Sequence, residues 1–109
     1  MNEDYPELQQ FLAGYFNEDW VDDHKSADDV INFFISEASA VRLERVQQEL
    51  QKLMLIDQSE QELQDYLFTS IGCGYYYPSE WIDGKTWLTH VVSILKTATS
   101  EIKNKNLSP

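Results

Sequence analysis

Apolar side chains return every three or four positions along most of the chain, which is the spacing of a helix with one buried face. The clearest stretch follows Ser39, whose hydroxyl can accept a hydrogen bond from the first turn of a helix. Polar residues fill the positions between the apolar ones and form the opposite face. The apolar positions are Leu43, Val46, Leu50, Leu53 and Met54. This segment is the most secure helix that the sequence predicts.

Two further helices have start signals in the sequence. Ser26 precedes two acidic residues that suit a first turn and an apolar stripe that includes Val30 and Phe34. Ser59 and Glu62 have the spacing of a capping box, in which each side chain bonds to the other residue's backbone N–H. We therefore predict one helix that begins after Ser26 and another that runs from Ser59 to about Ser70.

The pattern also predicts a helix near each end of the chain. Pro6 suits a first helical turn and precedes apolar residues at helical spacing, which predicts a helix over about 6–16. The last helix is expected over about 86–103 with Thr86 as its cap, and residues 106–109 are expected to fray. Its inward positions are Leu88, Val91, Leu95, Ala98 and Ile102.

The remaining stretches predict loops. Residues 17–25 are polar, and Gly72, Gly74 and Pro78 interrupt the helical pattern around the three tyrosines at 75–77. Those tyrosines are the one place where a short strand or extended turn fits. With short helices, short connections and no internal repeat, the sequence predicts an all-α bundle of about five short helices. We expect one domain over 1–109, with a core at about 5–103 and a frayed end from 104.

Composition sets the broad class of protein. The chain has 109 residues, 42% of them hydrophobic, which is enough to build a core without a partner. Nineteen acidic and eight basic residues give a formal charge of −11, which disfavours nucleic acid and anionic membrane surfaces and favours a basic protein partner. The first ten residues lack the features of a signal peptide, and no apolar run approaches membrane-spanning length. We expect a cytoplasmic protein.

No pattern of catalytic or metal-binding residues stands out. Counting from Asp19, the sixth position of a calcium loop would be His24 and the twelfth Val30, where such loops need glycine and glutamate. The single cysteine, Cys73, excludes a disulfide framework within the chain and is interpreted as a small buried hydrophobe. His90 is interpreted as a partly exposed helix residue. We therefore predict no enzyme activity, no cofactor and no metal.

Negative charge is concentrated in the first third of the chain. Residues 1–37 contain ten acidic residues and one basic residue. Clustered like charges destabilise a fold, so the cluster favours a surface that docks a positively charged protein, although each acid alone could be a solvated residue or a helix-start residue. The acids predicted to contact the partner are Glu18, Asp19, Asp22, Asp23, Asp28 and Asp29.

Aromatic residues beside the glycines are the second candidate for partner contact. Exposed tyrosine and tryptophan flanked by acids are typical of binding hot spots, whereas core packing is the alternative for each ring. Three consecutive tyrosines cannot all face inward, so at least one should be exposed. The candidate anchors are Tyr75, Tyr76, Tyr77 and Trp81. Trp20 and Trp87 are interpreted as core residues.

These features also resemble a known family. The segment YPELQQFLAGYFNEDW at 5–20 is similar to the opening of CdiI-type immunity proteins of contact-dependent growth inhibition systems. Further similar segments follow in order: ELQKL at 49–53, SEQEL at 59–63, GCGYYYP at 72–78 and Trp-Leu at 87–88. The likeness spans about residues 5–95.

The resemblance implies a cytoplasmic antidote that binds and blocks the C-terminal toxin domain of a CdiA-type effector. It implies a nuclease as the toxin, with an RNase as the first expectation and a DNase as the second. Asp19 and Trp20 lie in the shared opening, so they could serve the fold instead of the contact surface. The alternative is a small acidic adaptor or regulatory domain that binds another basic protein.

Overall fold

The computed structural model describes residues 4–107, and for residues 103–107 it describes the backbone alone. Within this described part six α-helices follow one another: α1 (Pro6–Tyr15), α2 (Trp20–Asp23), α3 (Ala27–Glu37), α4 (Ala40–Met54), α5 (Glu60–Asp65) and α6 (Gly84–Leu107). A π-helical segment, Tyr66–Ile71, continues α5, and a 3₁₀ turn, Tyr77–Ser79, precedes α6. The described residues include no strand, which confirms the all-α prediction.

Serine side chains start three of the helices, as predicted. Ser26 Oγ accepts a hydrogen bond from the backbone N–H of Asp29 at 3.1 Å, and Ser39 Oγ accepts one from Arg42 at 3.2 Å. Ser59 and Glu62 form the complete capping box. Each cap satisfies an N–H group that has no partner inside its helix.

The predicted cap of the last helix is wrong by three residues. Asp83 Oδ1 accepts a hydrogen bond of 2.8 Å from the backbone N–H of Thr86, so Asp83 caps α6 and Thr86 lies inside its first turn. Hydrogen bonds from Thr86 hold the pKa of the Asp83 carboxyl below its usual range. The helix backbone then continues to Leu107, beyond the predicted end near 103; of the residues expected to fray, 108–109 lie outside the described part.

The predicted loop at 17–25 contains the short helix α2. The Asn17 side chain accepts a hydrogen bond of 2.9 Å from the Asp19 backbone N–H, and the Asn17 carbonyl accepts one of 3.2 Å from Trp20. These hydrogen bonds from local backbone groups stabilise the turn that begins α2, so the polar stretch becomes helical without an apolar stripe. Hydrophobic periodicity therefore could not reveal α2.

Helices α4 and α6 pack against each other in antiparallel directions. Gln47 Nε2 in α4 donates a buried hydrogen bond of 2.8 Å to Thr99 Oγ1 in α6. Nearer the other end of the pair, Thr89 Oγ1 lies 3.6 Å from Met54 Sδ. Helix α4 also supports α1, which has no side-chain cap of its own, because Glu49 accepts a hydrogen bond of 2.9 Å from the Leu8 N–H.

The core is rich in aromatic rings. Trp87 is fully buried and contacts the rings of Phe16, Tyr75 and Tyr77, with ring centroids 5.0–5.8 Å apart. Cys73 is buried beside them, which confirms its interpretation as a small hydrophobe. Burial raises the pKa of its thiol to about 12, so the thiolate needed for nucleophilic chemistry is absent at neutral pH.

Candidate protein-interaction surface

All six acids predicted to contact a partner are exposed, and they lie on the segment 17–29, which we call the acidic segment. Four of them lie in α2 or directly before it and have no salt bridge to any side chain within residues 4–102: Glu18, Asp19, Asp22 and Asp23. Their carboxylates remain available to a positively charged partner. Because α2 is one turn long, these four charges project from a small area.

The other two acids lie in the first turn of α3, and each is paired with a histidine. His24 Nδ1 lies 3.1 Å from Asp29 Oδ2, and His90 Nε2 lies 3.0 Å from Asp28 Oδ1. The second pair joins α3 to α6 across 62 positions of sequence. Asp28 and Asp29 therefore have a structural role in addition to their charge.

The three tyrosines alternate between core and surface. Tyr75 and Tyr77 are 3% and 0% exposed, whereas Tyr76 is 62% exposed. The exposed Tyr76 confirms that at least one ring faces outward. Burial of Tyr75 and Tyr77 corrects their assignment as partner-contacting anchors, because neither ring can reach a partner. Tyr76 is the central residue of a tight turn, in which the Tyr77 N–H donates a hydrogen bond of 3.1 Å to the Tyr75 carbonyl, and this turn exposes the middle ring while the two flanking rings stay in the core.

Both buried tyrosines end in a hydrogen bond to a carboxylate. Tyr75 Oη donates to Glu80 at 2.8 Å, and Tyr77 Oη donates to Glu60 at 2.7 Å. Glu60 also accepts a hydrogen bond of 2.9 Å from the Gly84 N–H, which ties the tyrosine to the start of α6. Burial and, secondarily, these hydrogen bonds raise the pKa of both phenols well above the usual range.

Two predicted anchors remain at the surface, on the segment 72–82, which we call the aromatic loop. The Tyr76 ring stacks on Phe68 of the π-helical segment at 5.7 Å. Trp81 is partly exposed, and its ring lies 4.9 Å from that of His90. Both rings are thus held in place by neighbours while keeping an accessible side, which suits an anchor whose ordering costs little on binding.

The aromatic loop lies directly against the acidic segment. The Gly74 N–H donates a hydrogen bond of 2.7 Å to the Phe16 carbonyl, and Trp20 Nε1 donates one of 3.3 Å to the Gly74 carbonyl. The Trp20 ring also meets the Tyr75 ring edge-on at 5.6 Å. Trp20 is partly buried by these contacts, in line with its interpretation as a packing residue. We call the two segments together the acidic–aromatic surface.

Sequence reasoning missed two residues of this surface. Glu80 is exposed and adds a carboxylate next to Trp81. His90 contacts both Asp28 and Trp81, so it joins the two segments. An acid beside a candidate tryptophan was a visible signal for Glu80. For His90 there was none, because its partners lie on other elements.

The described residues were also compared with what a metal site and a membrane-spanning helix require. No group of three or more histidine, cysteine, aspartate or glutamate side chains in residues 4–102 is arranged to hold a metal ion. None of the helices in the described part of the chain is both long and apolar enough to cross a membrane.

Raising the pH above 10 should destabilise the fold. An unfolded tyrosine loses its proton near pH 10, whereas Tyr75 and Tyr77 in the fold keep theirs to higher pH because their pKa values are raised. The unfolded state then binds fewer protons, so the free energy of unfolding falls by up to about 1.4 kcal/mol per pH unit for each tyrosine. Urea titrations from pH 8 to 11.5, followed by tryptophan fluorescence, should show this decline.

Matched variants test the source of this alkaline effect. Tyr77→Phe should make the decline shallower, and Tyr76→Phe should leave it unchanged because Tyr76 is exposed. An equal decline in all three proteins would contradict the assignment to the buried phenols.

Comparisons with known proteins identify the family. The family model described as CdiI immunity protein matches residues 4–95. The fold is similar to a chain in the crystal structure of a CdiA-CT/CdiI complex from Y. kristensenii 33638, with a TM-score of 0.82 and 31% sequence identity. That similarity covers 85% of this chain and 99% of the other. A comparison with curated protein sequences finds no match.

The family match covers most of the chain, including the acidic segment and the aromatic loop. It also agrees with the resemblance carried by residues 5–20 and by the later segments. The chain belongs to the CdiI immunity protein family.

Proposed function

We propose that this chain is an immunity protein that binds the C-terminal toxin domain of a CdiA-type effector and neutralises it in the cytoplasm. Family membership supports this proposal, as does the similar fold of a chain in a CdiA-CT/CdiI complex. The observation that carries it is the match over residues 4–95, because this region contains the whole acidic–aromatic surface.

The proposed toxin is a nuclease, and an RNase in the first instance. A nuclease needs positive charge to hold phosphate, so the face around its active site attracts an acidic protein. The four carboxylates around α2 without salt bridges supply the complementary charge. Blocking a toxin in this way needs no reaction by the immunity protein, so we propose that the chain is not an enzyme.

The two parts of the surface have different proposed roles. Carboxylates act over several ångströms and raise the rate of association, which matters because a free toxin molecule acts repeatedly. Aromatic rings act at contact distance and slow dissociation. Tyr76 and Trp81 are the proposed contact rings, since both keep an accessible side in the free protein.

Co-expression tests the proposed function. The chain is produced together with the C-terminal domain of a CdiA-type effector from the same bacterium, and growth is measured. We expect growth to be restored, and we expect the purified chain to abolish toxin activity at a 1:1 ratio. Failure to restore growth, together with no binding in solution, would contradict the proposal. Strong binding to a different basic protein would instead favour the adaptor alternative.

Truncating the exposed tyrosine tests the contact role of the aromatic loop. Tyr76→Ala should speed dissociation of the toxin complex by about tenfold or more, the size typical of an aromatic hot spot, with little change in association rate. Surface plasmon resonance measures both rates. Leu55→Ala is the matched control, because Leu55 is 86% exposed at the end of α4, outside the acidic–aromatic surface. Equal rates for the two variants would contradict a contact role for Tyr76.

A further inference from the structure

At Gly74 the aromatic loop lies against the backbone of Phe16 and Asn17, where the acidic segment begins. A Cβ atom at this position would lie 3.0 Å from the Asn17 carbonyl oxygen and would overlap that of Phe16. Both obstacles are backbone atoms, which cannot swing aside as the end of a flexible side chain can. Any residue other than glycine would therefore push the aromatic loop away from the acidic segment.

Both polar backbone groups of Gly74 are used in this contact. Its N–H donates to Phe16 and its carbonyl accepts from Trp20 Nε1, so the contact fixes orientation as well as distance. The neighbours of Gly74 are anchored in the core, since Cys73 and Tyr75 are 6% and 3% exposed. The acidic segment is thus attached to a rigid part of the aromatic loop.

His90 of α6 makes a second connection between the two halves. His90 contacts Asp28 of the acidic segment with its Nε2 atom and Trp81 of the aromatic loop with its ring. With connections at Gly74 and at His90, the two halves form one body before any partner arrives. A partner that contacts both halves then avoids the cost of ordering them.

We infer that Gly74 is a positioning residue for toxin binding: it holds the acidic segment and the aromatic loop in the one register that lets a single toxin surface contact both at once. This inference rests on the proposed function. The toxin surface that fits has cationic side chains next to an apolar or planar patch, in the same arrangement as the carboxylates next to Tyr76 and Trp81.

A shift of the aromatic loop should change the dissociation rate constant of the toxin complex and leave the association rate constant almost unchanged. Electrostatic steering acts over distances near the Debye length, about 8 Å at physiological salt, so a small shift of the loop hardly changes it. Simultaneous contact with both halves depends on atomic fit and is lost when the register changes. A variant that moves the loop should therefore dissociate faster while associating almost normally.

Gly74→Ala tests this, with Gly14→Ala as the control. Gly14 lies in α1, outside the acidic–aromatic surface, and an added Cβ there meets no atom within 4 Å. Both variants add the same methyl group, but the one at Gly74 alone pushes on the backbone where the acidic segment begins. We expect Gly74→Ala to dissociate from the toxin domain at least tenfold faster, with association within about threefold of wild type. Gly14→Ala should dissociate at the wild-type rate.

Trp20→Phe tests the positioning role of Gly74 if Gly74→Ala does not fold. This change keeps a ring against Tyr75 and removes the hydrogen bond to Gly74, and we expect dissociation about threefold faster at an unchanged association rate. Equal dissociation for the two alanine variants, or a wild-type rate for Trp20→Phe, would overturn the inference while leaving the proposed function in place. No binding by the wild-type chain would overturn both.

Discussion

Replacing Asp22 and Asp23 with lysine should slow association with the toxin domain by about an order of magnitude at low salt. The two carboxylates are exposed and have no salt bridge within residues 4–102, so they contribute directly to the field that a basic partner meets. The effect should shrink strongly at about 0.5 M salt, where exposed charges are screened. Stopped-flow measurements over a salt series give the association rate.

A matched variant separates local charge from net charge. Asp57→Lys with Asp65→Lys changes the net charge by the same amount at two exposed positions outside the acidic–aromatic surface. This control should associate within about threefold of wild type. If the two double variants slow association equally, or if neither depends on salt, the acidic segment is not the docking surface.

Replacing Trp87 with alanine should cost about 3–5 kcal/mol in the free energy of unfolding, the range for removing a large buried aromatic side chain. Trp87 is fully buried and packs on three other rings, so its loss leaves a cavity in the centre of the fold. Small domains are stable by only about 5–15 kcal/mol, so the variant should be close to unfolding at 37 °C. Urea titration measures the loss.

Trp81→Ala is the comparison for this prediction. Trp81 is partly exposed at the edge of the core, where it contacts the His90 ring and bonds to the Tyr75 side chain, so its removal should cost about 1 kcal/mol, less than the removal of the fully buried Trp87. It should weaken toxin binding instead. A larger loss of stability for Trp81→Ala than for Trp87→Ala would contradict the division between core and surface tryptophans.

Features that depend on local chemistry were predictable from the sequence. Ser26, Ser39 and Ser59 cap helices where they were expected to, because a cap needs a side chain and a backbone N–H only three residues away. The last helix was misplaced because Asp83 and Thr86 are both acceptable caps. In the structure the helix begins at Gly84, whose N–H is also bound by Glu60 from another helix, a contact that the local pattern does not reveal.

The candidate surface was predictable in part. Exposure of the acids follows from the cost of burying a charge, and the structure has all six at the surface. Which tyrosine faces outward was not predictable, because it depends on the position of Trp87 beneath the loop. The contact between Asp28 and His90 joins residues 62 positions apart, and no local pattern carries that information.

Hydrogen exchange in the toxin complex tests the central claim most directly. The chain is compared free and bound to the CdiA-type C-terminal domain, and amide protection is mapped along the sequence. We expect slower exchange on binding at residues 17–29 and 72–82, and unchanged exchange along the exposed face of α4 from Val41 to Leu55. Protection confined to α4, with the acidic segment and the aromatic loop unchanged, would contradict the account.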